Sequence, residues 1–169
     1  KTEADGISTP FEPVKCNTFI TECTFGLPIY HWKPQEEIFK DINLWWKKNK
    51  EDGLSTFVTA YSLGKAQRLI KNVDTSIGKI FTHGAVENTN EALRVGGLEL
   101  PETIRVVRGM EKSQFKGSLI VAPPSAINTP WMKQFKPASL GIASGWMQLR
   151  GTRRRRAADR GFALSDHAD

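Results

Sequence analysis

The final residues of the chain, FALSDHAD, crowd Ser165, Asp166, His167 and Asp169 into five positions. An imidazole held by a carboxylate keeps a defined orientation and can lend a proton to an alkoxide leaving group near neutral pH. A surface turn that merely contains Asp and His has the same spacing, and the residues alone leave both readings open. A second cluster is YSLGKAQ, where backbone N–H groups between a strand-like and a helix-like run can meet a phosphate, with Lys65 adding charge. The signature Gly-x4-Gly-Lys-Ser/Thr is absent. Gly64 could equally serve only a tight turn, and Lys65 could be a solvated first-turn residue.

The third cluster is basic: Arg150, Arg153, Arg154, Arg155, Arg156 and Arg160. Such a run is commonly a solvated face or a localisation tag. Its place beside Asp159, ahead of FALSDHAD, also suits an ordered, partly ion-paired helix whose spare guanidinium groups meet a nucleic-acid backbone. The other histidines carry less. His31 sits in the apolar IYHW context of a loop or packing residue. His83 stands where a strand gives way to a helix in FTHGAV, a common place for functional groups in parallel sheets.

These groups need a scaffold, and the periodicity of the chain supplies one. Residues 1–16, with Gly6, Pro10 and Pro13, read as an extended entry segment. NTFITECTF alternates like a strand over about 17–23. From Gln35 to Lys50, Ile38, Phe39, Ile42, Trp45 and Trp46 fall on one face at helical spacing, with Glu36, Glu37, Lys40, Lys47 and Lys48 opposite. The tryptophans read first as core. LSTFVTAY (54–61) is a strand passing into the helix of SLGKAQRLI, with Ser62 as its expected N-cap. The pattern recurs as GKIF (78–81) before a helix near 85–95 that ends at Gly96-Gly97. It recurs again as GSLIVA (117–122) before a helix near 126–135, followed by a strand at ASLGIAS (138–144). The segment 102–108 predicts a short strand or helix. Alternating strands and helices predict an α/β fold, a largely parallel sheet flanked by helices.

With 169 residues, of which 39% are hydrophobic, the chain can bury one main core. A net charge of +6 favours anionic partners without naming one. Cys16 and Cys23 give no disulfide framework and a poor zinc spacing, so buried structural thiols in a reducing, cytoplasmic setting are expected. No apolar leader or membrane-length run occurs in the sequence. The start at Lys1-Thr2 and the polar end point to a segment of a longer polypeptide.

Three stretches carry a family resemblance: TECTFGLP (21–28), AYSLGKAQRLI (60–70) and GWMQLRGTRRRRAADRGFALSDHAD (145–169). Together, and in order along nearly the whole chain, they resemble the β-CASP branch of the metallo-β-lactamase-fold nucleases. The closest likeness is to bacterial ligase-associated DNA damage response exonucleases, often labelled messenger RNA 3′-end processing factors. The resemblance implies a β-CASP domain over 31–145, flanked by segments of a metallo-β-lactamase αββα domain at 1–30 and 146–169.

In that family an acidic residue of a Thr-Glu-Ser-Thr-like motif acts with a histidine of a Ser-x-His-x-Asp-like motif. Here these are Glu22 and His167, the implied catalytic pair, with His167 donating a proton to the departing 3′ oxygen. Ser62, Lys65, Arg154 and Ser165 are the implied substrate-binding residues. Cys23 stands where the family usually has serine, which weakens any hydrogen bond a hydroxyl would make.

The family binds two zinc ions through a His-x-His-x-Asp-His motif and further ligands that this sequence lacks. No metal ligand is therefore assigned here, and the expectation is that this polypeptide alone neither assembles the metal pair nor cleaves. The implied function is part of a zinc-dependent exonuclease acting on DNA in repair, alongside a DNA ligase and a helicase, away from membranes. RNA 3′-end processing is the alternative, since nothing in the sequence reads the 2′-hydroxyl. A non-catalytic α/β module that merely holds nucleotide or nucleic acid is the alternative of another class.

Overall fold

A computed structural model describes residues 4–149 and 158–167. Its centre is a six-stranded sheet, ordered β3-β2-β4-β1-β5-β6, in which every paired neighbour runs parallel. The strands are β1 (Ser55–Thr59), β2 (Ile80–Thr82), β3 (Ile104–Arg105), β4 (Leu119–Ala122), β5 (Ala138–Ala143) and β6 (Arg160–Phe162). β1 and β4 are buried at every position, as sheets covered on both faces require. Val58, Leu119 and Val121 face one layer, and Phe57, Ile120 and Ala122 the other.

The first layer is helical: α1 (Gln35–Glu51), α2 (Lys65–Asn72) and α3 (Gly84–Val95). α1 forms where the sequence pattern predicts it, with Ile38, Phe39, Ile42, Trp45 and Trp46 buried. Glu36 and Glu37 in its first turn and Lys48 and Lys50 in its last complement the helix dipole. The tryptophans are core residues; the indole N–H of Trp46 donates to the Gly117 carbonyl at 3.0 Å. The second layer is built from short turns, the 3-10 turns Lys112–Phe115 and Pro124–Ala126 and the single-turn α4 (Pro130–Lys133), over an aromatic cluster of Phe57, Phe81, Phe115, Trp131 and Phe135.

Four expectations change. The helix near 126–135 is cut to a 3-10 turn and α4, because Asn128 adopts φ 62° and the chain restarts at Pro130. No strand forms over 17–23. Among the described residues that stretch meets no partner strand and lies exposed, with Phe19 62% and Ile20 90% accessible, and alternation alone cannot hold a strand without a ladder. Cys16 and Cys23 lie on this segment and are exposed free thiols instead of buried ones. Ser62 is not the N-cap: α2 begins two residues later, capped at Gly64. Most of the arginine run falls outside the described residues.

The sheet order sets a topological switch point between β1 and β5. From β1 the chain crosses toward β2 on one side, whereas from β5 it moves to β6 on the other. At the carboxyl ends of the adjacent β1 and β5 the exits diverge, the position at which open α/β sheets bind ligands. No helix among the described residues is long and apolar enough to cross a membrane.

Candidate functional site

The loop leaving β1 turns at Gly64, whose φ of 84° is a conformation that side chains disfavour. Gln67, in the first turn of α2, fixes this corner. Its side-chain oxygen accepts from the Gly64 N–H at 2.8 Å, and its amide donates to the Ser62 carbonyl at 2.9 Å and to Asn90 Oδ1 at 2.8 Å. The half-buried Ser62 thus contributes its backbone carbonyl to the turn.

The chain that follows β6 runs past this turn. Lys65, 1% exposed, places Nζ 2.6 Å from Asp166 Oδ1 and 4.9 Å from the centre of the Tyr61 ring. Arg68, one turn on, donates through one guanidinium nitrogen to the Ser165 carbonyl and through Nε to Gln35 Oε1 at 2.5 Å. Ser165 is buried, and its hydroxyl accepts from the His167 N–H at 3.2 Å.

His167 Nδ1 then meets Glu22 Oε1 at 3.3 Å, with both side chains partly exposed, 35% and 43%. Glu22 does not end a strand. It sits in an irregular segment, where its other carboxylate oxygen accepts from the Thr24 N–H at 2.8 Å. One face of the imidazole environment is aromatic. The edge-on ring of Phe25 lies 5.1 Å from His167 and is itself enclosed by Tyr30, Trp32 and Trp146. A carboxylate on Nδ1 leaves Nε2 as the nitrogen that can exchange a proton with a substrate.

Four of the six sequence-predicted site residues thus meet: Glu22 touches His167, and Lys65 and Ser165 secure the residues around it. Ser62 lies at the same turn, and Arg154 lies outside the described residues. Asp159 bonds to the Ser139 hydroxyl and the Leu140 N–H at 2.9 and 2.8 Å, tying the approach to β6 against β5. Sequence reasoning missed Arg68 and Phe25. For Arg68 a signal existed, because Lys65 and Arg68 are three apart and share a helix face.

The other histidines lie apart from these contacts. His83 is the N-cap of α3, its Nδ1 accepting from the Ala85 N–H at 3.1 Å, and burial pushes its pKa down from the usual imidazole value. The His31 carbonyl accepts from the Gln148 amide. Glu87 is buried on α3. Burial raises its pKa, but hydrogen bonds from Thr82 and Thr103 and the Arg94 guanidinium at 2.9 Å outweigh it and hold the carboxyl below its ordinary value. Among the described residues, no group of three or more His, Cys, Asp or Glu side chains could hold a metal ion, so these residues do not fit a dinuclear centre.

No family model matches the chain. Over 150 residues, 89% of its length, it is 25% identical to a protein from Opitutus terrae named "Probable DNA ligase". It spans only 14% of that relative.

Proposed function

We propose that this chain is the proton-donating part of a nucleic-acid phosphodiesterase of the β-CASP type, an exonuclease acting on DNA. The observation that carries the reading is the contact of Glu22 with His167 Nδ1, made by residues from opposite ends of the sequence. In the reaction, water attacks phosphorus and gives up a proton to solvent, the bond from phosphorus to the 3′ oxygen breaks, and that oxygen takes the proton from His167 Nε2. Glu22 fixes the ring and offsets the charge of the protonated imidazole. The arginines around Arg154 would contact the backbone of the substrate, as the net charge of +6 favours.

DNA is preferred to RNA because the relative from Opitutus terrae carries a DNA ligase name. The family resemblance, not that name, adds a cytoplasmic repair setting beside a ligase and a helicase. Residues 31–145 would form the β-CASP domain, with 1–30 and 146–169 belonging to its metallo-β-lactamase neighbour. Two zinc ions belong to this reading, but the described residues offer no ligand set for them.

The test is degradation of matched DNA and RNA strands by the whole protein, with and without His167→Ala. Loss of turnover in the variant and preference for DNA are expected. Undiminished turnover would remove the assigned role of His167 and favour the binding-module reading of this chain, and preference for RNA would replace the substrate.

A further inference from the structure

We propose that the first turn of α2 is the positioning device for His167, and that Lys65 acts through Asp166 instead of gripping a substrate phosphate. The inference rests on the proton-donor reading of His167 and goes beyond it by assigning what holds the donor in place.

Lys65 follows a glycine turn at the switch point of the sheet and looks like a phosphate ligand. Its geometry argues otherwise. The side chain is 2% exposed, and its ammonium is already neutralised by Asp166 at 2.6 Å. A phosphate would have to enter a closed space and displace that carboxylate, leaving Asp166 without its cation beside the negative charge of the phosphate itself. Arg68 extends the same grip by one helical turn, donating to the Ser165 carbonyl. Two cations of α2 therefore hold two consecutive residues, and His167 is the next. The Ser165 hydroxyl closes the set by accepting from the His167 N–H.

The clamp is also built from below. A Cβ at residue 64 would lie 3.3 Å from Asp166 Oδ2, so the bare glycine lets the carboxylate settle against the turn. Gln67 pins that turn and is held by Asn90, which donates in turn to Glu87 at 3.2 Å. The position of the His167 backbone is thereby tied through α2 to buried polar groups of α3, before Glu22 meets the ring.

The two roles separate in kinetics. In the whole protein, acting on a single-stranded DNA oligonucleotide, Lys65→Met and Asp166→Asn should each lower kcat by about 10²-fold, the cost of a displacement near 1 Å. KM should stay within about twofold, and its dependence on salt should not change. Because both act through one contact, the double variant should be no worse than the weaker single variant. A phosphate ligand behaves differently: Lys65→Met would raise KM, spare kcat and reduce the salt slope by about one, and Asp166→Asn would free the cation and lower KM. Either that pattern or losses that multiply in the double variant would overturn the proposal. If Lys65→Met fails to fold, Asp166→Asn and Arg68→Lys carry the same test, both expected to lower kcat alone. His167→Ala separates the two levels. Full turnover in that variant removes the proton-donor reading, whereas an inactive His167→Ala beside fully active Lys65→Met and Asp166→Asn removes only the clamp.

Discussion

Replacing Gly145 with alanine should strike the aromatic wall of the site. A Cβ at this position would lie 2.4 Å from Cζ and 2.5 Å from Cε2 of Phe25. Carbon atoms in contact prefer about 3.5–4.0 Å, so the ring or the turn must retreat by roughly 1 Å or more. Phe25 has little room: it is 6% exposed, with Tyr30, Trp32, Trp146 and His167 all centred within 5.3 Å of it. Overpacking of this kind costs about 1–3 kcal/mol, and each kcal/mol lowers Tm by roughly 2–4 °C in a chain of this size. Denaturant unfolding of the wild type, Gly145→Ala, Phe25→Leu and the pair gives a double-mutant cycle. Leucine lacks Cζ and both Cε atoms, so the pair should be at least about 1 kcal/mol more stable than the sum of the single losses predicts. A fully stable Gly145→Ala, or strictly additive losses, would refute the packing described for Phe25.

Other perturbations have equally definite outcomes. Glu87 has a folded pKa below its unfolded value, so its contribution is present above the unfolded pKa and is lost as pH falls through the folded one. Glu87→Gln should flatten the acid limb of stability below about pH 4.5 and cost about 1–3 kcal/mol at neutral pH, read by urea unfolding across pH. The folded pKa of His83 is also depressed, because burial disfavours the charged ring, so stability should decline as pH falls below about 6.5. His83→Asn, which can still cap α3, should remove that decline in thermal melts across pH. Thr59 at the end of β1 has the one buried side-chain polar atom without a partner among the described residues. Thr59→Val should therefore be neutral or stabilising by up to about 1 kcal/mol in chemical denaturation. Under the proposed reading the isolated 169-residue chain, which lacks a His-x-His-x-Asp-His motif, should show no cleavage of an oligonucleotide with added zinc, and measurable zinc-dependent cleavage would refute this.

Much of the scaffold was legible. The apolar stripe of α1 and the alternation of β1, α2, β2 and α3 repeat at periods set by backbone geometry, and buried parallel strands write themselves as unbroken runs such as LIVA. The misses came where local pattern and tertiary need diverge. NTFITECTF has the alternation of a strand, but a strand exists only with a partner, and none among the described residues pairs with it. The run 126–135 has helical residues but is interrupted at Asn128. At the site, spacing placed Ser165, Asp166 and His167 together, and the family resemblance, not the spacing, coupled Glu22 to His167. The burial of Lys65 was invisible, since a lysine after Gly64 looks solvated until the chain from β6 delivers Asp166 to it. Phe25 against Gly145 is a packing fact with no local signal at all.

The central claim is that Glu22 and His167 work as one unit in phosphodiester cleavage. Turnover of single-stranded DNA by the whole protein, measured for Glu22→Gln, His167→Ala and the double variant, tests it most directly. The account predicts that His167→Ala removes most of kcat and that adding Glu22→Gln removes nothing further. Unimpaired turnover without His167, or losses that multiply when the two changes are combined, would contradict it.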